Sequence, residues 1–174
     1  GGKGWRIGSY TECVEHPHQV LECLSYSLLS PVTYHGGFTP LPGTVGPTTN
    51  TWLSIYGWVR GIPWIEYYII ENYSTFNPLS QPGVIVLGSF IVDGSPYDLG
   101  YSTYVGTPRA PIGPGGPVGP VTIRRLYSVR YRKRSEGTVT VKAHWDKWAE
   151  YGPIDTEHEV ADRGLRVMGL GREV

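Results

Sequence analysis

Residues 52–70 read Trp-Leu-Ser-Ile-Tyr-Gly-Trp-Val-Arg-Gly-Ile-Pro-Trp-Ile-Glu-Tyr-Tyr-Ile-Ile, and this stretch decides the fold class. Trp52 to Trp58 and Ile65 to Ile70 are dense in aromatic and β-branched side chains, with Gly61 and Pro63 between them. Such residues suit a pleated, half-buried surface, so the two runs are expected as antiparallel strands with a short connection. Side chains alternate along a strand, which puts Glu66 on one face with Trp64 and Tyr68. On the facing strand Tyr56 and Trp58 share one parity, so an aromatic surface with a carboxylate set into it is available. A carboxylate there costs free energy unless it is paired or lines a cleft. The plainer alternative is an exposed Glu on a solvent face. Rings with interspersed hydroxyls and one carboxylate suit a sugar-chain cleft, because pyranose faces stack on rings and sugar hydroxyls bond to Tyr and Glu.

Working outward, Val84 to Val92 and Ser102 to Val105 read as strands, separated by the turn Asp93-Gly94-Ser95-Pro96. Val121 to Lys133 and Thr138 to Val141 are expected to pair around Glu136-Gly137. Only Val141 to Glu150 has helical spacing, with Val141, Trp145 and Trp148 at i, i+4 and i+7. Many short strands, frequent Gly/Pro turns and one helix packed on the outer side indicate an all-β fold. The expected architecture is an antiparallel β-jelly roll of two packed, strongly twisted sheets, over residues 1–174 as one domain. Residues 6–50 resist this reading, since from residue 11 on neither alternation nor helical periodicity holds.

Composition narrows the function. Fifteen Lys and Arg balance fifteen Asp and Glu in 174 residues, so no net field favours nucleic acid or an anionic membrane. The basic run Arg124 to Arg134 divides by parity between two faces and makes no continuous phosphate stripe. Val84 to Val92, the longest nearly apolar run, is about half the length that crosses a bilayer. Thirteen Tyr and six Trp against three Phe favour surfaces that stack flat ligands. Residues 1–5 lack an apolar run with a cleavage site, so no signal peptide is expected in this chain. Cys13 and Cys23 allow one disulfide or two free thiols. With His16 and His18 they match no regular zinc spacing, so no metal is expected, and nothing suggests a cofactor. Residues 113–119 lack the Lys-Ser/Thr ending of a phosphate loop, and Asn72-Tyr73-Ser74 is a glycosylation sequon.

Several separated motifs then carry a resemblance. Tyr56-Gly57-Trp58, Ile65 to Asn72, Tyr73 to Pro78, Asp93 to Asp98 and Tyr127-Ser128-Val129-Arg130 follow in the order of the family 11 endo-β-1,4-xylanases. Lys133 to Gly137 and His144-Trp145-Asp146-Lys147-Trp148-Ala149 continue it, and Gly2-Lys3-Gly4-Trp5 resembles that family's strand near the start. The match is good over about residues 52–150. The resemblance implies a secreted, monomeric jelly-roll enzyme that cuts xylan or xylooligosaccharides internally with retention of configuration. It places the nucleophile on Glu66 and sugar-binding or nucleophile-bonding groups on Tyr56, Trp58, Tyr68, Arg125 and Tyr127.

Retention needs a second carboxyl about 5 Å from the first. The spacing from Trp148 at which the family carries its second Glu reaches Arg166 here. Glu159 and Asp162 are the candidates for acid/base, with Glu173 behind them. Tyr104 stands where the family has a cleft arginine, Arg125 where it has a glutamine, and residues 108–121 form a longer Gly/Pro tract than its thumb. The alternative function is therefore a catalytically impaired carbohydrate-binding protein that keeps the aromatic cleft and lacks the acid.

Overall fold

The computed structural model describes residues 5–8, 31–35, 52–59, 62–108, 119–154 and 164–169. Strands β1 (Trp5–Gly8), β2 (Val32–Tyr34), β3 (Trp52–Val59), β4 (Trp64–Tyr73) and β5 (Ile85–Val92) come first. They are followed by β6 (Ser95–Gly106), β7 (Val121–Arg130), β8 (Gly137–Val139), helix α1 (Val141–Glu150) and β9 (Gly164–Gly169). The larger sheet runs β1-β9-β3-β4-β7-β6-β5, and β2 pairs with β8 in a second, two-stranded sheet.

Strands β3 and β4 form the expected antiparallel pair, with Tyr56 opposite Tyr68 and Trp58 opposite Glu66. Strand β4 is buried on both faces. Ile65, Tyr67 and Ile69 belong to the main core with Trp145 and Trp148, while Tyr56, Trp58, Trp64 and Ile123 cluster separately. The odd-numbered face receives α1, and the even-numbered face carries Glu66. Helix α1 and Glu66 thus lie on opposite sides of one sheet.

Three details differ from the sequence expectation. Asp93 (φ 49°) and Gly94 (φ 72°) alone make the β5–β6 turn, and the ladder resumes at once with Val92 opposite Ser95. Two left-handed residues match the twist of the flanking strands, which is why Asp-Gly suffices and Ser95-Pro96 joins the strand. Strand β7 stops at Arg130, and β8 pairs with Val32–Tyr34 instead of folding back on β7. The chain leaves the sheet there because Arg134 reaches Glu71 and Lys133 binds the carbonyls of Tyr73 and Ser74. The third difference is a parallel pair, β4 with β7, inside an otherwise antiparallel sheet. The β5–β6 hairpin lies within the long crossover that such a pair requires.

Helix α1 spans the expected residues and buries Val141, His144, Trp145 and Trp148. Its start is tied to the β5–β6 turn, where Asp93 accepts from Thr140 N (2.8 Å) and Oγ1 (2.7 Å). Trp145 lies edge-on to Tyr67 at 5.3 Å, and His144 edge-on to Tyr97 at 4.7 Å. The His144 ring is fully buried, with Nδ1 2.8 Å from Ser128 Oγ and no partner for Nε2. Burial pushes its pKa down to about 3. The imidazole is therefore neutral in the fold but protonates at about 6.5 in the unfolded chain. Its contribution to stability is complete above pH 6.5 and declines as pH falls toward 3, by on the order of 1 kcal/mol per unit. Urea unfolding of the protein and of His144→Gln should show the gap between their stability curves closing across that window.

Candidate active site

The sequence alternation that puts Trp64, Glu66 and Tyr68 on one face of β4 also turns Glu66 toward side chains of its neighbours β3 and β7 and of β6 beyond. The side chain is 4% exposed. Tyr56 of β3 donates its hydroxyl to Glu66 Oε1 at 3.0 Å, and Tyr68 of β4 donates to the same oxygen at 2.8 Å. Oε2 accepts from Tyr104 of β6 at 3.1 Å and from Arg125 Nε of β7 at 2.6 Å. A carboxylate has about four lone-pair sites. Every one of them is used.

These donors are themselves fixed. Trp58 Nε1 donates to the Tyr56 hydroxyl, and the Tyr56 ring lies 4.8 Å from that of Tyr68. Tyr68 stacks on Tyr127 at 5.7 Å and 14° and meets the edge of Trp52 at 5.9 Å. Tyr127 is 2% exposed, so its ring backs Tyr68 from within the sheet. The Arg125 guanidinium lies 4.6 Å from the Tyr104 ring centroid and 5.9 Å from that of Tyr68. Burial first, then the Glu66 charge, push the Tyr68 phenol well above its usual range, and Tyr104 moves the same way for the same reasons. Both stay protonated and act as donors. Burial works against the Arg125 charge, but Glu66 more than offsets it and Arg125 is held firmly protonated.

Of the expected site residues, Glu66, Tyr56, Trp58, Tyr68, Arg125 and Tyr127 come together in this cluster. Glu159, Asp162, Glu173, the Cys13–Cys23 segment and residues 109–118 of the Gly/Pro tract lie outside the described residues. Strand β9, which borders β3, reads Gly-Leu-Arg-Val-Met-Gly and holds no carboxyl. Its Arg166 occupies the register position opposite Tyr56, and Gly164 the one opposite Trp58. Tyr104 and Trp64 were not among the expected site residues. The signal for Tyr104 was its place at the family's cleft-arginine position, and the register of β6 on β7 sets it diagonally across from Arg125. Arg130 and Arg134 point to the other side, Arg130 donating to Tyr97 (2.6 Å) and Arg134 to Glu71.

The family model for glycosyl hydrolases family 11 matches residues 1–161. The chain belongs to that family. An endo-1,4-beta-xylanase of Byssochlamys spectabilis is 42% identical over 152 residues, 87% of this chain and 60% of that protein. Endo-1,4-beta-xylanase 4 of Pyricularia oryzae is 35% identical over 152 residues, 87% of this chain and 50% of its own length. The chain thus spans only about half of such family 11 relatives. A structure from a comparison of two major endo-1,4-beta-xylanases of Trichoderma reesei superposes with a TM-score of 0.59 at 26% identity, covering 80% of this chain and 74% of that one. Those family 11 neighbours have the β-jelly-roll architecture expected from the strand pattern.

The four-donor cage makes a prediction about stability. Removing Arg125 leaves a buried carboxylate short of its charged partner, a costly change when the other charge stays. Arg125→Leu is expected to lose about 2–3 kcal/mol more in the native background than in Glu66→Gln, read by urea unfolding of the four-member cycle. Equal losses in both backgrounds would mean that the ion pair contributes nothing.

Proposed function

We propose that the chain is a xylan-directed glycoside hydrolase that cleaves internal β-1,4-xylosidic bonds with retention, using Glu66 as nucleophile. The observation that carries this reading is the position of Glu66 in a family 11 fold, in an aromatic cluster that also supplies its hydrogen-bond donors. In the first step a carboxylate oxygen attacks the anomeric carbon while the leaving sugar oxygen takes a proton. In the second, water releases the glycosyl-enzyme ester. The rings of Tyr56, Trp58 and Tyr68 are assigned to sugar stacking and orientation, and Arg125 to polar contact with the sugar beside Glu66. The acid/base is Asp162 or Glu159. Asp162 is favoured because it lies two residues before Gly164, whose register partner Trp58 is itself opposite Glu66. No resident cofactor or metal enters the proposal. A polymeric substrate places the work outside the cell, and a monomer suffices for it.

One observation favours the alternative, a carbohydrate-binding protein that keeps the cleft without turnover. The register position opposite Tyr56 on β9 carries Arg166, where spacing from the helix predicts the family's second carboxyl. Xylooligosaccharide release separates the two readings. The hydrolase reading expects turnover that disappears in Glu66→Gln and falls about 10²–10⁴-fold in Asp162→Asn, or in Glu159→Gln if that residue is the acid. Equal, near-zero rates for the native chain and Glu66→Gln, with xylan binding retained in both, would establish the binder.

A further inference from the structure

A carboxylate that accepts four hydrogen bonds has no lone pair left for a carbon electrophile. Before Glu66 can form a bond, one donor has to leave. The two oxygens are not held alike. Oε1 is bonded by Tyr56 and Tyr68, and both rings are pinned. Tyr56 is 6% exposed and receives Trp58 Nε1, while Tyr68 is gripped between Tyr127 and Trp52. Oε2 is bonded by Arg125, whose 2.6 Å contact is the shortest of the four, and by Tyr104, whose 3.1 Å contact is the longest. Tyr104 and Tyr68 are both half-buried at the margin of the Tyr56–Trp58–Trp64–Ile123 cluster, but where Tyr68 packs on three aromatic rings, Tyr104 packs on the Arg125 guanidinium at 4.6 Å. Its ring leans on Gly106, where a Cβ would come within 3.0 Å of it, two residues before the Gly/Pro tract begins at Pro108.

We infer that Glu66 Oε2 is the reacting oxygen and that Tyr104 is a positioning residue that caps it until a sugar displaces the phenol. This rests on the reading of Glu66 as nucleophile and adds which oxygen reacts and what holds it back. With Tyr104 withdrawn, Arg125 still directs Oε2 through one lone pair and the other faces the substrate. Tyr56 and Tyr68 keep Oε1 as the fixed end about which the carboxylate is aimed. Bond formation is then a displacement. The Oε2 lone pair forms the bond to the anomeric carbon as the bond to the leaving oxygen breaks, and its electron pair departs with that oxygen.

The test uses a probe that needs no acid, 2,4-dinitrophenyl 2-deoxy-2-fluoro-β-xylobioside, whose leaving group departs as the phenolate. Labelling is followed by intact mass and mapped to Glu66 by peptide analysis. Tyr104→Phe keeps the ring against Arg125 and removes only the hydroxyl, so labelling of Glu66 is expected to accelerate about tenfold in ki/Ki. Tyr56→Phe and Tyr68→Phe should give no acceleration, since they free the oxygen that does not react. A structural role alone would lower the melting temperature of Tyr104→Phe and leave ki/Ki unraised. Labelling of Glu66 at the native rate or slower in Tyr104→Phe, or equal acceleration in Tyr68→Phe, overturns the inference. Absence of any label on Glu66 in all four proteins removes the nucleophile reading itself, and this inference with it.

Discussion

Strand β4 carries a buried carboxylate on each face, and the need to satisfy both organises much of the described structure. Glu66 is 4% exposed and Glu71 is fully buried. A buried carboxylate is tolerated only with hydrogen bonds or an ion pair. Glu66 draws its donors from β3, β4, β6 and β7. Glu71, left over where the β3–β4 register slips between Leu53 and Ser54, draws on Tyr34 of β2, Tyr97 of β6 and Arg134 beyond β7. Between them the two side chains contact every strand from β2 to β7 except β5. The parallel pairing of β4 with β7 follows the same logic, because it brings Arg125 level with Glu66.

The two networks behave differently because their surroundings do. Around Glu71 the donors Tyr34 and Tyr97 belong to the main core while Arg134 is partly exposed, and Arg130 extends the chain through Tyr97 to the Asp93 carbonyl (2.8 Å). That network locks the β5–β6 turn, the start of α1 and the β2–β8 pair to one another, which suits a structural charge. Around Glu66 three of the four donors, Tyr68, Tyr104 and Arg125, are partly exposed, and the last two come from strands that flank the Gly/Pro tract. Two ring-packed phenols on one carboxylate oxygen, and a cation with a marginal phenol on the other, suit the nucleophile role proposed for Glu66.

What was legible in the sequence was whatever alternation or helical spacing states locally. The parity of Glu66 with Trp64 and Tyr68, the β3–β4 pairing and the bounds of α1 all follow from side-chain direction over fewer than twenty residues. The pairing of β8 was not legible, because Thr138 finds Thr33 across 105 residues and a three-residue strand carries no periodicity. Nor was the end of β7, since Tyr131, Arg132 and Lys133 continue the aromatic and basic composition while their bonds go to the first residues of β6 and the last of β4. At the site, the residues of one hairpin could be read together. Tyr104 was marked only through the resemblance, as the residue at the cleft-arginine position, and its bond to Glu66 could not be read because it depends on the register of β6 on β7 and of β7 on β4.

The cage around Glu66 also shows how stability and reactivity oppose each other at one side chain. Each donor lowers the cost of keeping the carboxylate out of water, and each also withdraws electron density from the oxygens, which opposes the nucleophile role proposed for Glu66. A site built only for stability would bury its donors, as Tyr34 and Tyr97 are buried around Glu71. A site built only for reactivity would leave an oxygen bare and accept the desolvation cost. Here the cation sits on the neighbouring strand, at Arg125, and a phenol at Tyr104 supplies the fourth bond. A neutral phenol is the easier of the two to displace, because its hydrogen bond is replaced by water or by a sugar hydroxyl without stranding a charge. Exchanging the two residue types would give the releasable position to the cation and couple every opening to the loss of an ion pair. The observed order, guanidinium close and phenol at the margin, is the one that lets the site open at the smaller cost.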